Sequence, residues 1–147
     1  MRDLAELKRF AKRYAEAWCS QNPESVAALF AENGSLSVND GTPAVRRAAI
    51  AKIAEGFMRD FPDMIVTMDD LKIGERNFLP QTQDGLCDAT FHWTLTGTNT
   101  GPGGGGKHVR IDGYELWKID NGLITESKGH FDAAEYERQL EQGVEPL

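Results

Sequence analysis

The chain has 147 residues, of which 40% are hydrophobic, and its 16 basic and 23 acidic side chains give a formal net charge of −7. This length suffices for one domain with its own core, so we expect a single domain over residues 1–147. The acidic balance argues against nucleic acid and anionic membrane surfaces as partners, because both select basic patches.

The N-terminal segment alternates charges from Arg2 onward and contains no long apolar run. We therefore expect neither a signal peptide nor a membrane span, and a cytoplasmic location. Cys19 and Cys87 lack the spacing of a metal or redox motif, so buried thiols are favoured over a disulfide.

Apolar side chains that recur every three or four residues predict three helices in the first part of the chain. The helices cover residues 3–20, the stretch from Pro23 to Asn33-Gly34, and the stretch from just after Pro43 to about Arg59. Phe61-Pro62 ends the third helix, because proline disfavours helical geometry in the residue before it.

Alternating apolar and polar residues predict strands in the second part. The predicted strands are Ser35–Val38, Met64–Ile73, Leu86–Gly97 and a long hairpin from Lys107 to Asp132, which a short helix follows. Helices first and long strands later predict an α+β fold, in which a curved antiparallel sheet forms a cone around the helical layer.

The hairpin turns at Asn121-Gly122, a dipeptide typical of the tight type I′ turn. A regular hairpin then places Ile119 opposite Ile124 and Glu115 opposite Lys128, so that alternation fixes which side chains share a face. That face carries Gly113, Glu115, Trp117, Glu126, Lys128, His130 and Asp132. Rings mixed with ionisable groups are typical of a pocket wall, although a bulge would exchange the two faces.

Several motifs resemble the SnoaL-like polyketide cyclase family of the nuclear transport factor 2-like superfamily. They are Phe61-Pro62-Asp63, the run 93–101 and the run 120–126, which is followed six residues later by Asp132. The chain departs from the family pattern in the expected pocket. His92 and Asn99 stand where family members commonly have Arg and His, and residues near Glu115 and Lys128 differ as well.

The resemblance implies a cone-shaped α+β barrel that is usually dimeric and needs no cofactor. It also implies that an aspartate at the place of Asp132 acts as acid and base in an intramolecular aldol cyclisation. The related steroid isomerases place a tyrosine near Tyr14 and an acidic residue near Glu115. Their catalytic base would fall near Val38, which argues against an isomerase of that kind.

The leading hypothesis is a cofactor-independent cyclase or isomerase that removes a proton next to a carbonyl of an aromatic or polycyclic substrate. Asp132 would be the base, His130 its proton partner, and Glu115 with Lys128 the polar contacts for oxygen. The apolar wall would consist of Tyr14, Trp18, Phe57, Trp93 and Trp117.

Structural roles compete with each of these assignments. Asp132 and Glu135 have the spacing of a helix N-cap, His130 suits a hydrogen-bonded structural residue, and Glu115 with Lys128 suits a cross-strand ion pair. His92 shares a strand face with Thr90 and Thr94, so it is expected on the outer side.

Two other features have structural interpretations. The glycine tract 101–106 matches a dinucleotide-binding pattern, but a strand follows it instead of a helix, which favours a flexible connection at the rim of the cone. The three histidines show no paired metal spacing, so no metal is expected.

The rival hypothesis is a non-catalytic protein that binds a small hydrophobic ligand or serves as a dimeric scaffold. Its outer sheet face, with Tyr114, Leu116 and Phe131, would form the homodimer contact. A deep cavity with Asp132 and His130 at its floor would favour chemistry, whereas a cavity plugged by tryptophan would favour the scaffold.

Overall fold

The computed structural model describes residues 4–74, 87–101 and 105–144. Within these ranges the helices and strands, in chain order, are α1 (Leu4–Cys19), α2 (Pro23–Ala27), β1 (Phe30–Val38), β2 (Ala44–Val45), α3 (Arg47–Asp60), β3 (Ile65–Ile73), β4 (Ala89–Asn99), β5 (Lys107–Asp120), β6 (Leu123–Phe131) and α4 (Ala133–Gln142). The predicted α+β class is confirmed. In the described part of the chain, no helix has the length and apolar character that crossing a membrane requires.

The six strands form one curved sheet in the order β2-β1-β6-β5-β4-β3. Neighbouring strands are antiparallel except β1 and β6, which run parallel. The prediction of an antiparallel sheet therefore holds for four of the five strand pairs. The helices pack against one side of the sheet, which we call the inner face; the other side is the outer face.

Helix α1 lies where the apolar periodicity places it. Helix α3 begins later than predicted, at Arg47, because Ala44 and Val45 form β2 and pair with β1. Residues that recur along α1, including Leu7, Tyr14 and Trp18, are buried against the sheet. Helix α3 ends at Asp60, directly before Phe61-Pro62. The predicted start of the first helix at residue 3 and the predicted strand start at Leu86 lie outside the described residues.

The second helix is shorter than predicted, because its last predicted turn belongs to a strand. Helix α2 ends at Ala27, and β1 already begins at Phe30. Phe30 is fully buried and pairs with Ile124 of β6, whose amide donates a hydrogen bond of 3.0 Å to the Leu29 carbonyl. Sheet pairing and burial thus outweigh the local helical pattern.

The β5–β6 hairpin has the predicted turn but a different register. Asn121 and Gly122 have φ angles of 52° and 77°, as a type I′ turn requires, and Ile119 pairs with Ile124 as predicted. Beyond this pair the register shifts, because Lys118 pairs with Glu126 and leaves Thr125 as an extra residue. Such an extra residue is a β-bulge.

The bulge makes the predicted register of β6 wrong by one residue. Trp117 lies opposite Ser127, Glu115 opposite Gly129, and Gly113 opposite Phe131. The inner face of β6 therefore carries Ser127, Gly129 and Phe131, while Glu126, Lys128 and His130 point to the outer face. The physical reason is solvation: the bulge leaves the Lys128 ammonium exposed to water instead of turning it toward the core.

Helix α4 covers the part of β5 that extends beyond the end of β6. Gln139 is only 4% exposed, and its side-chain oxygen accepts a hydrogen bond of 2.8 Å from the backbone N–H of Arg110. Its amide nitrogen donates to Glu135 at 2.7 Å. One buried glutamine thus replaces a missing strand contact and fixes α4 beside the inner face.

Gly113 of β5 has a packing reason to be glycine. A Cβ atom there would lie 2.6 Å from Cζ2 of Trp93 and closer still to the carbonyl oxygen of His130. Gly56 in α3 is the opposite case, since a Cβ atom there would meet nothing within 4 Å.

We expect Gly113→Ala to lower the free energy of unfolding by about 1–3 kcal/mol, because Trp93 and the β6 backbone must shift. Gly56→Ala is the matched control and should raise it by about 1 kcal/mol, because alanine is a better helix former. Urea denaturation monitored by circular dichroism measures both. Equal stabilities for Gly113→Ala and the unsubstituted protein would contradict the packing of Trp93 described here.

Candidate functional site

A cavity of about 70 Å³ lies between the inner face of the sheet and the helices; we call it the inner cavity. Its aromatic lining residues are Trp18, Phe57, Phe91, Trp93, Phe131 and Tyr136. Glu115 is the one carboxyl among the described residues that line it. An apolar cavity with a single convergent polar group is the arrangement of a small-molecule site.

Glu115 is held by three hydrogen bonds that all end on the same oxygen. Its Oε1 accepts from the Tyr14 hydroxyl at 2.7 Å, from the Ser127 hydroxyl at 2.7 Å and from the Trp117 indole N–H at 3.0 Å. The donors come from α1, β6 and β5, so this contact ties the helical layer to the hairpin. Since the three donors share Oε1, none of these bonds uses Oε2.

The environment of Glu115 favours its neutral form more than water does. Burial raises the pKa of the Glu115 carboxyl above its ordinary value of 4.5, and the hydrogen bonds from Ser127, Tyr14 and Trp117 offset part of that increase. Burial and the nearby Glu115 charge raise the pKa of Tyr14 well above 10.0. Tyr14 therefore remains a neutral donor while Glu115 titrates.

A cluster of rings supports the carboxyl from below. Trp117 stacks on Phe91 with centroids 4.9 Å apart and planes at 14°, and Tyr14 meets both edge-on at 4.9 and 5.3 Å. Tyr14 and Trp117 have no exposed surface, so they lie beneath the inner cavity and do not line it. Of the predicted apolar wall, Trp18, Phe57 and Trp93 do line it.

Two buried indole nitrogens add hydrogen-bonding capacity at the wall. Among the described residues, neither Nε1 of Trp18 nor Nε1 of Trp93 has a hydrogen-bond partner. The Trp18 nitrogen lies near the Tyr14 hydroxyl and lowers its pKa, but without the geometry of a hydrogen bond. Buried donors are rarely left unpaired, so each of these N–H groups has unused hydrogen-bonding capacity.

Asp132 and His130 line a different depression, on the outer face, which we call the outer groove. It is an open space of about 640 Å³ that also includes Asp40, Asp112 and Tyr114. His92, Tyr114 and His130 form a row of rings with successive centroids 5.9 and 5.1 Å apart. The predicted outer position of His92 is confirmed.

The structure therefore separates the side chains that were predicted to share one cavity. Glu115 faces inward, whereas His130 and Asp132 face the outer groove and Lys128 lies 3.9 Å from Glu126 on the outer face. The predicted contact between Glu115 and Lys128 is wrong because of the bulge. The predicted cap is confirmed, since Asp132 accepts a hydrogen bond of 3.0 Å from the Glu135 amide.

Some residues of the inner cavity were missed or misplaced. Phe131 was predicted on the outer face but lines the inner cavity, and Ser127 and Gly129 move inward with it. The sequence offered one signal for this shift: moving β6 by one residue would place Lys128 in water. No cluster of His, Cys, Asp or Glu suited to a metal ion occurs in the described part of the chain.

The sequence profile of the SnoaL-like domain matches residues 11–127. The chain belongs to the SnoaL-like domain family. The family resemblance seen in the sequence motifs is thereby confirmed. A search among curated proteins gives no significant match.

Solved structures with little sequence identity share the fold. An epoxide hydrolase/cyclase-like enzyme with a role in pyran ring formation in the polyether salinomycin matches with a TM-score of 0.74, 14% identity and coverage of 92% of this chain and 97% of that chain. A candidate polyketide cyclase from Xanthomonas campestris matches with a TM-score of 0.69 and 18% identity, and the match covers 92% of this chain and 97% of that chain. A hypothetical protein with a ketosteroid isomerase-like fold from Catenulispora acidiphila, in complex with trimethylamine, matches with a TM-score of 0.71 and 17% identity. That match covers 90% of this chain and 92% of that chain. These likenesses establish the fold of the SnoaL-like chain.

We expect Glu115→Gln to change how stability depends on pH. The raised pKa of Glu115 makes its contribution to folding complete below the unfolded value of 4.5, and that contribution is lost as pH rises through the folded value. Glutamine keeps an oxygen for the three donors but does not titrate. The free energy of unfolding of the unsubstituted protein should therefore fall relative to that of Glu115→Gln as pH rises above 4.5.

Urea denaturation between about pH 4 and pH 9 measures this difference. Ser127→Ala is the companion variant, since loss of a donor that lowers the Glu115 pKa should extend the fall to higher pH. A difference between the two proteins that stays constant over the range would show that Glu115 titrates alike in the folded and unfolded chains.

Proposed function

We propose that the inner cavity binds the ketone end of a small apolar molecule and that Glu115 transfers a proton at the carbon next to the carbonyl. No cofactor takes part in this proposal. The observation that carries it is the placement of Glu115: a carboxyl with a raised pKa lines an otherwise apolar cavity, with one oxygen fixed by three donors.

The reaction balances with Glu115 alone as acid and base. Oε2 takes a proton from the carbon beside the carbonyl, and the electron pair of the broken C–H bond moves to the carbonyl oxygen to give an enolate. Where a C=C bond of the substrate is conjugated with the enolate, the protonated carboxyl returns the proton at the far end of that bond and the double bond moves one position, which is isomerisation. Alternatively the enolate carbon attacks a second carbonyl of the same molecule, and the carboxyl protonates the new alkoxide, which is cyclisation.

The surroundings of Glu115 support both halves of such a step. A raised pKa brings the proton affinity of the carboxylate closer to that of the substrate carbon, which favours abstraction. The three donors hold Oε1 in place whether Oε2 carries a proton or not. The indole N–H of Trp93, which has no partner among the described residues, is available to donate to an enolate oxygen.

Glu115 takes the role that the sequence motif assigned to Asp132. Asp132 lies in the outer groove and caps α4, so it does not line the inner cavity. Val38, near the expected place of the base in steroid isomerases, lines the inner cavity with an apolar side chain. The cyclase-like neighbours with this fold support the reaction class for the SnoaL-like chain, while the choice of carboxyl comes from its geometry.

A non-catalytic binding role is the second candidate, and the size of the cavity favours it. A space of about 70 Å³ is roughly half of the 150 Å³ that holds one benzene ring in a known protein cavity. A bicyclic ligand would require Trp18 and Phe57, whose rings meet at 6.1 Å, to move apart. We further propose that two copies pair through the outer face, where Tyr114 is 38% exposed.

We expect the protein to exchange the protons beside the carbonyl of 2-tetralone for deuterium in D₂O, followed by proton NMR. Glu115→Gln should reduce the protein-catalysed rate by about 100-fold or more, because a side-chain amide cannot accept the proton. It should still bind 2-tetralone, since its shape and its acceptor oxygen remain.

Asp132→Asn is the comparison variant, because asparagine also caps helices well. It should retain the exchange rate of the unsubstituted protein. Loss of exchange in Asp132→Asn with full activity in Glu115→Gln would place the base in the outer groove and refute the proposal. Binding without any exchange would favour the non-catalytic role.

A further inference from the structure

Gly129 lies in the sheet between two residues of the inner cavity. It pairs with Glu115 of β5 on one side and with Val38 of β1 on the other, and all three line the cavity. Because Gly129 has no side chain, a strip of its buried backbone lines the inner cavity beside Glu115. The next inward residues along β6 are Ser127, which donates to Glu115, and Phe131, which lines the cavity.

The fold gives no reason for glycine at this position. Gly129 is not among the described glycines with positive φ, so its backbone suits other residues. A Cβ atom there would lie 3.4 Å from the Ser37 carbonyl oxygen and 3.6 Å from Cγ of Glu115, which are ordinary van der Waals contacts. In this respect it differs from Gly113, where a Cβ atom has no room.

Glycine inside a strand nevertheless has a cost. It gives up the packing of a side chain and loses more conformational freedom on folding than any other residue. A strand glycine without a backbone reason often marks a place where a ligand approaches the backbone closely. The contacts on the inner face support a close approach of a ligand at Gly129, because the strip adjoins Glu115 at the cavity wall.

We propose that Gly129 is the specificity-determining residue of the inner cavity and that it admits flat ring ketones to Glu115. The ring lies against the Cα atom of Gly129, with the carbon next to its carbonyl beside Oε2 of Glu115. A methyl group at this position would occupy the space over the strip. It would exclude a flat ring of two fused cycles more strongly than a short open-chain ketone. This inference rests on the proposed function for its ligand class.

The test compares Gly129→Ala with Gly56→Ala, which adds the same methyl group in open space on α3. Binding of 2-tetralone, of tetralin and of 2-butanone is measured by NMR titration, and folding by thermal denaturation. Gly129→Ala should melt no lower than the unsubstituted protein. It should weaken the binding of 2-tetralone and of tetralin by about 10-fold or more, since one methylene in a pocket changes affinity by about 10–200-fold. It should weaken the binding of 2-butanone by less than about 3-fold. Gly56→Ala should bind all three unchanged.

The outcomes separate this inference from the proposed function. If both fused-ring probes bind and their binding weakens in Gly129→Ala, while 2-tetralone shows no deuterium exchange, the specificity role stands and the proton-transfer proposal fails. The specificity role is overturned if Gly129→Ala weakens the binding of 2-butanone and of 2-tetralone equally, or if it binds 2-tetralone as tightly as the unsubstituted protein does. A Gly129→Ala protein that does not fold also overturns it, because the glycine then has a structural reason. An unsubstituted protein that binds none of the three overturns both proposals.

Discussion

The contact on which the site depends is the carboxyl of Glu115 with its three donors. A buried carboxyl is costly unless its oxygens are hydrogen-bonded, and here the donors come from a helix and from two strands. The same bonds that satisfy Oε1 also fix the distance between α1 and the hairpin. None of these bonds uses Oε2, and Glu115 lines the inner cavity, so a contact that organises the fold also places a titratable group at the cavity wall.

The hairpin supplies this arrangement through one extra residue. The bulge at Thr125 brings Ser127 into reach of Glu115 and turns Gly129 and Phe131 inward. It also sends His130 outward, where it meets Tyr114 in the outer groove. One extra residue reverses the alternation of side chains along β6. The ionisable side chains of the hairpin are therefore divided between the inner cavity and the outer groove.

The aromatic floor explains why the inner cavity is narrow. Trp117, Phe91 and Tyr14 fill the space under Glu115 in edge-on and stacked contacts, and Trp18 meets Phe57 beside it. This packing leaves a cavity of about 70 Å³, which has room for one end of a ligand but not for a whole polycyclic molecule. The small residues on the inner face then decide how close a ligand comes to the carboxyl, and Gly129 is the one whose missing side chain has no structural cause.

Local patterns alone determined the fold class, the ends of α1 and α3, the turn at Asn121-Gly122 and the cap at Asp132, because each depends on residues within a few positions of one another. The same holds for Glu115 and Trp117 sharing a face, since neighbouring strand positions alternate. Only the tertiary structure decided the partners of β6. A bulge depends on which side chains can be buried across the sheet, and the residues next to Thr125 do not specify it; the exposure that Lys128 requires is the one sequence signal for it. For that reason Asp132 and His130 were placed with Glu115, while Ser127 and Gly129 were missed.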